Sequence, residues 1–146
     1  MRYLEDLHVG DGFTSDSYTV TEQEIVAFAS QYDPQPFHLD QAQAEASIFR
    51  GLAASGWHTA GITMRLLVQS ELRPAGGVVG MGLDEMRWPR PVRPGDTLHV
   101  VSDVLEIRPS ESRPDSGVVK VRSTTLNQRG QTVQVMVSNL LVPRRP

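Results

Sequence analysis

Apolar positions follow a helical period through much of the first half of the chain and an alternating period through most of the second. Val9-Gly10-Asp11-Gly12 reads as a turn, and the loose alternation from Phe13 to Val20 predicts an edge strand. Thr21-Glu22-Gln23-Glu24 then matches the capping box, in which a Thr hydroxyl and a Glu carboxylate each satisfy an orphan N–H. Ile25, Phe28 and Ala29 follow at helical spacing, so a short amphipathic helix is predicted over residues 21–31. Pro34 and Pro36 stop it, which leaves Tyr32 to Leu39 as an ordered loop. Asp40 is a good N-cap for a second short helix over about 41–47, carrying Ala42, Ala44 and Ala46. The small-residue stretch Gly51 to Gly56 lets backbone approach a neighbour closely.

The longest helical pattern runs from Trp57 to Leu72. Trp57, Ala60, Met64, Leu67 and Val68 fall on one side, with Ile62, Leu66 and Leu72 adding apolar surface elsewhere. His58, Arg65 and Gln69 share a narrow polar stripe, so the helix is expected to be largely buried, with His58 facing solvent or an interface. Pro74-Ala75-Gly76-Gly77 ends it, and the period changes. Val78 to Met86 reads as a strand in which Gly80 and Gly82 mark a bulge or close packing. Pro89 to Pro94 breaks the pattern and Gly95-Asp96 turns it. Thr97 to Ile107 puts Leu98, Val100, Ser102 and Val104 on one face. A polar loop over 109–117 leads to Val118–Leu126, with Val119, Val121, Ser123 and Thr125 alternating. The turn Asn127-Gln128-Arg129-Gly130 leads to Thr132–Val142, with Val133, Val135, Val137 and Leu141 on one face. Met64, Met81 and Met86 are read as core. The order predicts an α+β fold in which one long apolar helix lies across an antiparallel sheet.

Composition narrows the partners. The chain has 146 residues, which fits a single domain over 1–146, and 39% of them are apolar and 21% charged. That core is lean enough for a subunit interface to help it. The net charge of −3 and the lack of a basic block argue against nucleic acid, although Arg87, Arg90 and Arg93 cluster, as do Arg144 and Arg145. There is no cysteine, so neither disulfides nor thiolate metal sites are available. No apolar run at the N-terminus reads as a signal peptide and none elsewhere approaches a membrane span, so a cytoplasmic protein without membrane contact is expected.

The candidate chemistry centres on Tyr32-Asp33-Pro34-Gln35-Pro36-Phe37-His38-Leu39-Asp40, where an acid and a histidine lie five positions apart between prolines. A carboxylate and an imidazole make a competent acid–base pair, and shielding by Tyr32, Pro36 and Phe37 is expected to move both toward neutral pKa values. The plainer reading makes Asp33 a turn acid and His38 a partly buried histidine bonded to Asp40. Ser55-Gly56-Trp57 opens the long helix, where unpaired N–H groups and the dipole's positive end can polarise a carbonyl. Ser55 as a cap and Gly56 as a packing glycine is the structural alternative. A metal set of His38, Asp40 and His58 has no supporting spacing motif, and no metal is expected. Arg87, Arg90 and Arg93 either contact a nucleotide phosphate or form solvated surface, with surface preferred.

These residues resemble a known family. Tyr32-Asp33-Pro34-Gln35-Pro36-Phe37-His38 resembles the Asp-x-Asn-Pro-x-His motif of the MaoC-like, (R)-specific enoyl-CoA hydratases. Ser55-Gly56-Trp57 resembles their His-Gly-Met segment, and Trp88-Pro89-Arg90-Pro91-Val92-Arg93-Pro94-Gly95-Asp96-Thr97-Leu98 their Pro-Val-x-x-Gly-Asp-Thr-Leu signature. Val9-Gly10-Asp11 is also typical, so the resemblance runs over nearly the whole chain. It implies a single hot-dog domain, paired into a homodimer or higher homo-oligomer with active sites near the interface. It implies that Asp33 and His38 activate water for addition to a 2-enoyl-CoA, with the Gly56 N–H on the thioester oxygen and Ser55 and Trp57 beside the substrate. No cofactor is implied, since CoA arrives as part of the substrate. Gln35 stands where the family has Asn, Ser55 where it has His, and Trp57 and His58 replace smaller or aliphatic residues. A bulky Trp57 favours a short, branched or polar acyl chain. The alternatives are a hot-dog thioesterase, which directs water to the carbonyl carbon, and a non-catalytic binding subunit.

Overall fold

Helices come first along the chain and most of the sheet second, as the change of hydrophobic period predicts. The structure, a computed structural model, describes residues 1–146. A 3-10 turn at Leu4–Asp6 precedes two short strands, β1 (Gly12–Thr14) and β2 (Tyr18–Thr19). Three helices follow, α1 (Glu22–Tyr32), α2 (Pro36–Leu39) and α3 (Gln41–Glu45), and then the long α4 (Gly56–Gln69). The remaining strands are β3 (Val79–Arg87), β4 (Thr97–Pro109), β5 (Ser116–Leu126) and β6 (Thr132–Pro143). Their order in the sheet is β1-β4-β5-β6-β3, every pairing is antiparallel, and β2 pairs with the start of β4. No helix is long and apolar enough to cross a membrane.

The α4 helix is the spine of the core. Ile62 and Leu66 enter a cluster with Val20, Ile25, Leu52, Val92, Leu98 and Val100. Leu67 enters a second cluster with Leu4, Leu72, Val104, Val119, Val121 and Leu140. Burying each such side chain stabilises the fold by about 1.5–3 kcal/mol relative to exposure. This is the α+β hot-dog arrangement that the resemblance implied, with one long helix packed on an antiparallel sheet.

Several local expectations need correction. The expected edge strand from Phe13 to Val20 is two separate pieces, β1 on Val101–Asp103 and β2 on Thr97–Leu98. The expected loop at Tyr32–Leu39 contains the one-turn helix α2, because Pro36 sits at its first position, where a missing N–H costs nothing. On α4 the buried side is Thr59, Ile62, Thr63, Leu66 and Leu67, whereas Trp57, Met64 and Val68 are exposed. Met81 is exposed as well, so neither it nor Met64 is a core residue of the chain, while Met86 packs against the second cluster. The expected inner face of β6 is only half kept, since Val133 and Val137 are buried and Val135 is not. Gln134, Met136, Ser138, Leu140 and Val142 are buried in alternation, and Leu141 is not. The polar Gln134 and Ser138 break the hydrophobic pattern of this second buried row in the sequence. In the fold Gln134 is wholly buried and its amide is satisfied by Thr63 and Trp88.

Candidate active site

The end of α1 and the start of α4 bring the candidate residues together. Thr21 and Glu24 form the predicted capping box of α1, which runs to Tyr32 and leaves Asp33 as its C-cap. The chain then turns, with the Gln35 N–H donating to the Asp33 carbonyl at 2.7 Å, and enters α2. His38 therefore returns toward Asp33, and its Nε2 lies 3.2 Å from Asp33 Oδ2. Asp40 caps α3 by accepting from the Gln43 N–H at 2.8 Å, so it is not the partner of His38.

Ser55 caps α4, its Oγ accepting from the Trp57 N–H at 3.2 Å, and donates its own hydrogen to Asp33 Oδ2 at 2.8 Å. Gln35 Nε2 donates to the other carboxylate oxygen at 2.5 Å. Burial would raise the Asp33 pKa, but the hydrogen bonds from Gln35 and Ser55 and the adjacent His38 outweigh it and hold the carboxyl below its ordinary value. The expected shift of Asp33 toward neutrality is thus reversed in sign. Only 6% of the His38 side chain and 17% of the Asp33 side chain is exposed.

The tautomer of His38 follows from its other nitrogen. Nδ1 lies 2.6 Å from the Ala53 carbonyl oxygen, which can only accept, so Nδ1 donates. In the neutral ring Nε2 then presents a lone pair to Asp33. Two acceptors 3.2 Å apart are reconciled by a proton shared between them, or by a donor such as water that serves both. Phe37, edge-on at 4.7 Å between ring centres, and the tilted Phe49 fix the imidazole plane.

Gly56 is the first residue of α4, so its N–H has no intrahelical acceptor. A Cβ at this position would come within 2.6–2.9 Å of the Trp88 ring, so only glycine fits. Asp33, Gln35, His38, Gly56, Trp57 and Trp88 line one cavity of about 570 Å³, with Ile48, Phe49, Thr59 and Arg90 completing much of its wall. Volumes of this order suit a small-molecule site.

Other candidates lie elsewhere. His58 does not face solvent: it is 9% exposed and stacked on Phe28 at 4.8 Å, and its Nδ1 has no partner. Burial lowers its pKa, opposed weakly by Glu24. Arg93 is structural rather than solvated surface. Its guanidinium donates to the carbonyls of Phe49, Gly51 and Leu52 and so ties down the segment before α4. Arg87 pairs with Glu85 on its own strand. Arg90 alone of the three adds to the cavity an exposed guanidinium not held by a carboxylate. Sequence reasoning placed Trp88 in a motif but not in the cavity wall, and it missed the Ala53 carbonyl and the Ser55–Asp33 bond. Trp88 alone carried a local signal, as a large aromatic directly before a proline-rich break.

The sequence matches the family described as MaoC like domain over residues 8–127. The crystal structure of the MaoC-like dehydratase from Rhodospirillum rubrum is similar throughout, with a TM-score of 0.96 at 56% identity, covering 100% of this chain and 99% of that one. An uncharacterized protein, YdeM of Bacillus subtilis (strain 168), is 30% identical over 126 residues, 86% of this chain and 88% of that protein. The (R)-specific enoyl-CoA hydratase of Rhodospirillum rubrum is 27% identical over 146 residues, 99% of this chain and 94% of that protein.

Proposed function

The chain belongs to the MaoC-like dehydratase family, and on that premise we propose that it reversibly adds water to a 2-enoyl-CoA to give the (R)-3-hydroxyacyl-CoA. The observation that carries this reading is the close pairing of the His38 imidazole with the Asp33 carboxylate at the cavity wall. His38 Nε2 and the ionised Asp33 Oδ2 are held 3.2 Å apart, each fixed from behind, by Ala53 and by Ser55. A water entering beside the pair donates to the neutral Nε2, with the Asp33 carboxylate adjacent. The name of the Rhodospirillum rubrum (R)-specific enoyl-CoA hydratase supports the same reaction.

In this mechanism His38 Nε2 takes the proton of the water as its oxygen bonds to C3 of the enoyl group. Asp33 stays ionised and stabilises the imidazolium. The C2–C3 π electrons move toward the thioester carbonyl, whose oxygen gathers negative charge against the Gly56 N–H. The proton on Nε2 then passes to C2, so H and OH add to one face. Dehydration is the same path reversed. CoA is part of the substrate, and no other cofactor enters. The reading takes residues 1–146 as one hot-dog domain acting as a homodimer.

Crotonyl-CoA tests it. Loss of enoyl absorbance without release of free thiol is the expected result. Thiol release in place of hydration would mean a thioesterase, and inertness across a panel of enoyl-CoA chain lengths would mean a binding subunit.

A further inference from the structure

One wall of the cavity takes no part in water addition. The Trp88 indole lies against Gly56, close enough that a Cβ there would meet three of its ring carbons at 2.6–2.9 Å. Its N–H donates to Gln134 Oε1 at 2.9 Å. Gln134 Nε2 donates to Thr63 Oγ1 at 3.0 Å, and the Thr63 and Thr125 hydroxyls are 2.6 Å apart. Gln134, Thr63 and Thr125 are fully buried. The ring is therefore tied to α4 at two levels, directly at Gly56 and through Gln134 at Thr63. Those levels are two helical turns, about 10 Å, apart. Thr59, which lines the cavity, lies between them on the same helix face. The indole thus spans from the start of α4 to Gln134 on β6, and behind Gln134 lie buried polar groups already paired with one another.

We propose that Trp88 is the stopper of the acyl pocket and confines the substrate to short acyl chains. The placement of the substrate rests on the hydratase reading. With the thioester oxygen at Gly56 and C3 at Asp33 and His38, the carbons beyond C3 begin beside this helix face. Continuing along α4 toward Thr63, they meet the indole. One edge of the half-exposed ring is fixed by its hydrogen bond to Gln134, which Thr63 and Thr125 brace from behind, so it resists swinging aside more than an unbonded aromatic would. Trp88 touches neither Asp33 nor His38 by any hydrogen bond, so its role concerns chain length rather than the chemical step.

The test measures two ratios. One is kcat/KM for trans-2-octenoyl-CoA over crotonyl-CoA, and the other is calorimetric affinity for octanoyl-CoA over butyryl-CoA. Wild type is expected to disfavour the longer chain by about 100-fold or more in both. Trp88→Ala is expected to raise each ratio by at least about tenfold, and Trp88→Phe to stay near wild type. If Trp88→Ala fails to fold, Trp88→Leu makes the same test with less lost volume. A wild type that accepts both chains equally overturns the proposal, and so does a folded Ala or Leu variant with unchanged ratios. Hydration with an unchanged ratio removes the stopper and leaves the hydratase. The expected affinity ratios without hydration keep the stopper and remove the hydratase. Failure to bind either acyl-CoA removes both.

Discussion

Asp33 is the residue on which the hydrogen bonds of the candidate site converge. Its carboxylate receives Gln35 on one oxygen and Ser55 on the other, and the oxygen shared with Ser55 also faces His38. In the hydratase reading, Asp33→Asn and His38→Ala each lower turnover by about two to four orders of magnitude with an unchanged circular dichroism spectrum. Near-full activity in both variants would remove the site assignment. Ser55→Ala makes a finer test, since it deletes one of the bonds that depress the Asp33 pKa. The folded carboxyl titrates below its ordinary 3.8, so its stabilising contribution is present above that value and is lost as pH falls through the lower folded pKa. The acid limb of the rate profile should therefore move upward in pH in Ser55→Ala, with about 1 kcal/mol of stability lost from the missing cap. An unmoved acid limb would mean that Ser55 serves the helix alone. Gln35, where the family's motif has Asn, reaches Asp33 Oδ1 with its amide and so supplies a donor to the acid.

At the scale of elements, the packing of α1 on α4 contains a buried defect. His58 on α4 stacks on Phe28 of α1, with Nδ1 unpartnered and Glu24 the nearby acid that favours its charged form. Desolvation lowers its pKa below the ordinary 6.5, so near that pH the unfolded chain binds more protons than the folded one. Stability should then rise with pH through the region just below 6.5, with the penalty saturating once the folded imidazole also takes up its proton. His58→Phe keeps the stack and removes the titration. Urea midpoints for this variant should lie above wild type at mildly acidic pH and show a shallower pH dependence. Equal slopes would place the pH dependence at other histidines. The polar stripe on α4 was legible in the sequence, but which side of it met α1 was not, because that depends on a packing angle between helices that are far apart in sequence.

At the scale of the whole molecule, the sheet ends on an exposed apolar edge. β3 is the outermost strand beside β6, and Val79, Met81 and Leu83 are all exposed along it. Met64 and Val68 of α4 are exposed as well, and Met64 lines an apolar depression with Val78, Leu83 and Met136. An uncovered edge strand of this kind invites pairing with another chain. The proposed homodimer covers it with a second copy, which also accounts for the lean core. Met81→Lys, at the bulge between Gly80 and Gly82, should shift the protein from dimer to monomer in sedimentation velocity without loss of secondary structure. A wild type that sediments as a monomer at all accessible concentrations would remove the dimer from the reading.

The sequence by itself determined what depends on near neighbours along the chain. The capping box at Thr21, the Asp40 cap, the inner faces of β4 and β5 and the glycine-marked bulge in β3 are local patterns, and the fold keeps them. The motifs also identified Asp33, His38 and Gly56 as a set, through a resemblance that spans the chain. Tertiary structure decided everything that needs two distant segments to meet. It joined Ser55 to Asp33, set the Ala53 carbonyl behind His38, laid Trp88 over Gly56, and turned Gln134 inward onto Thr63. It also decided that Met64 and Met81 belong to an outer face, because an apolar side chain reads the same in a core and at an uncovered edge. Hydrophobic period reports which residues avoid water, whereas the partner that shields each of them is fixed only when the helix lies down on the sheet.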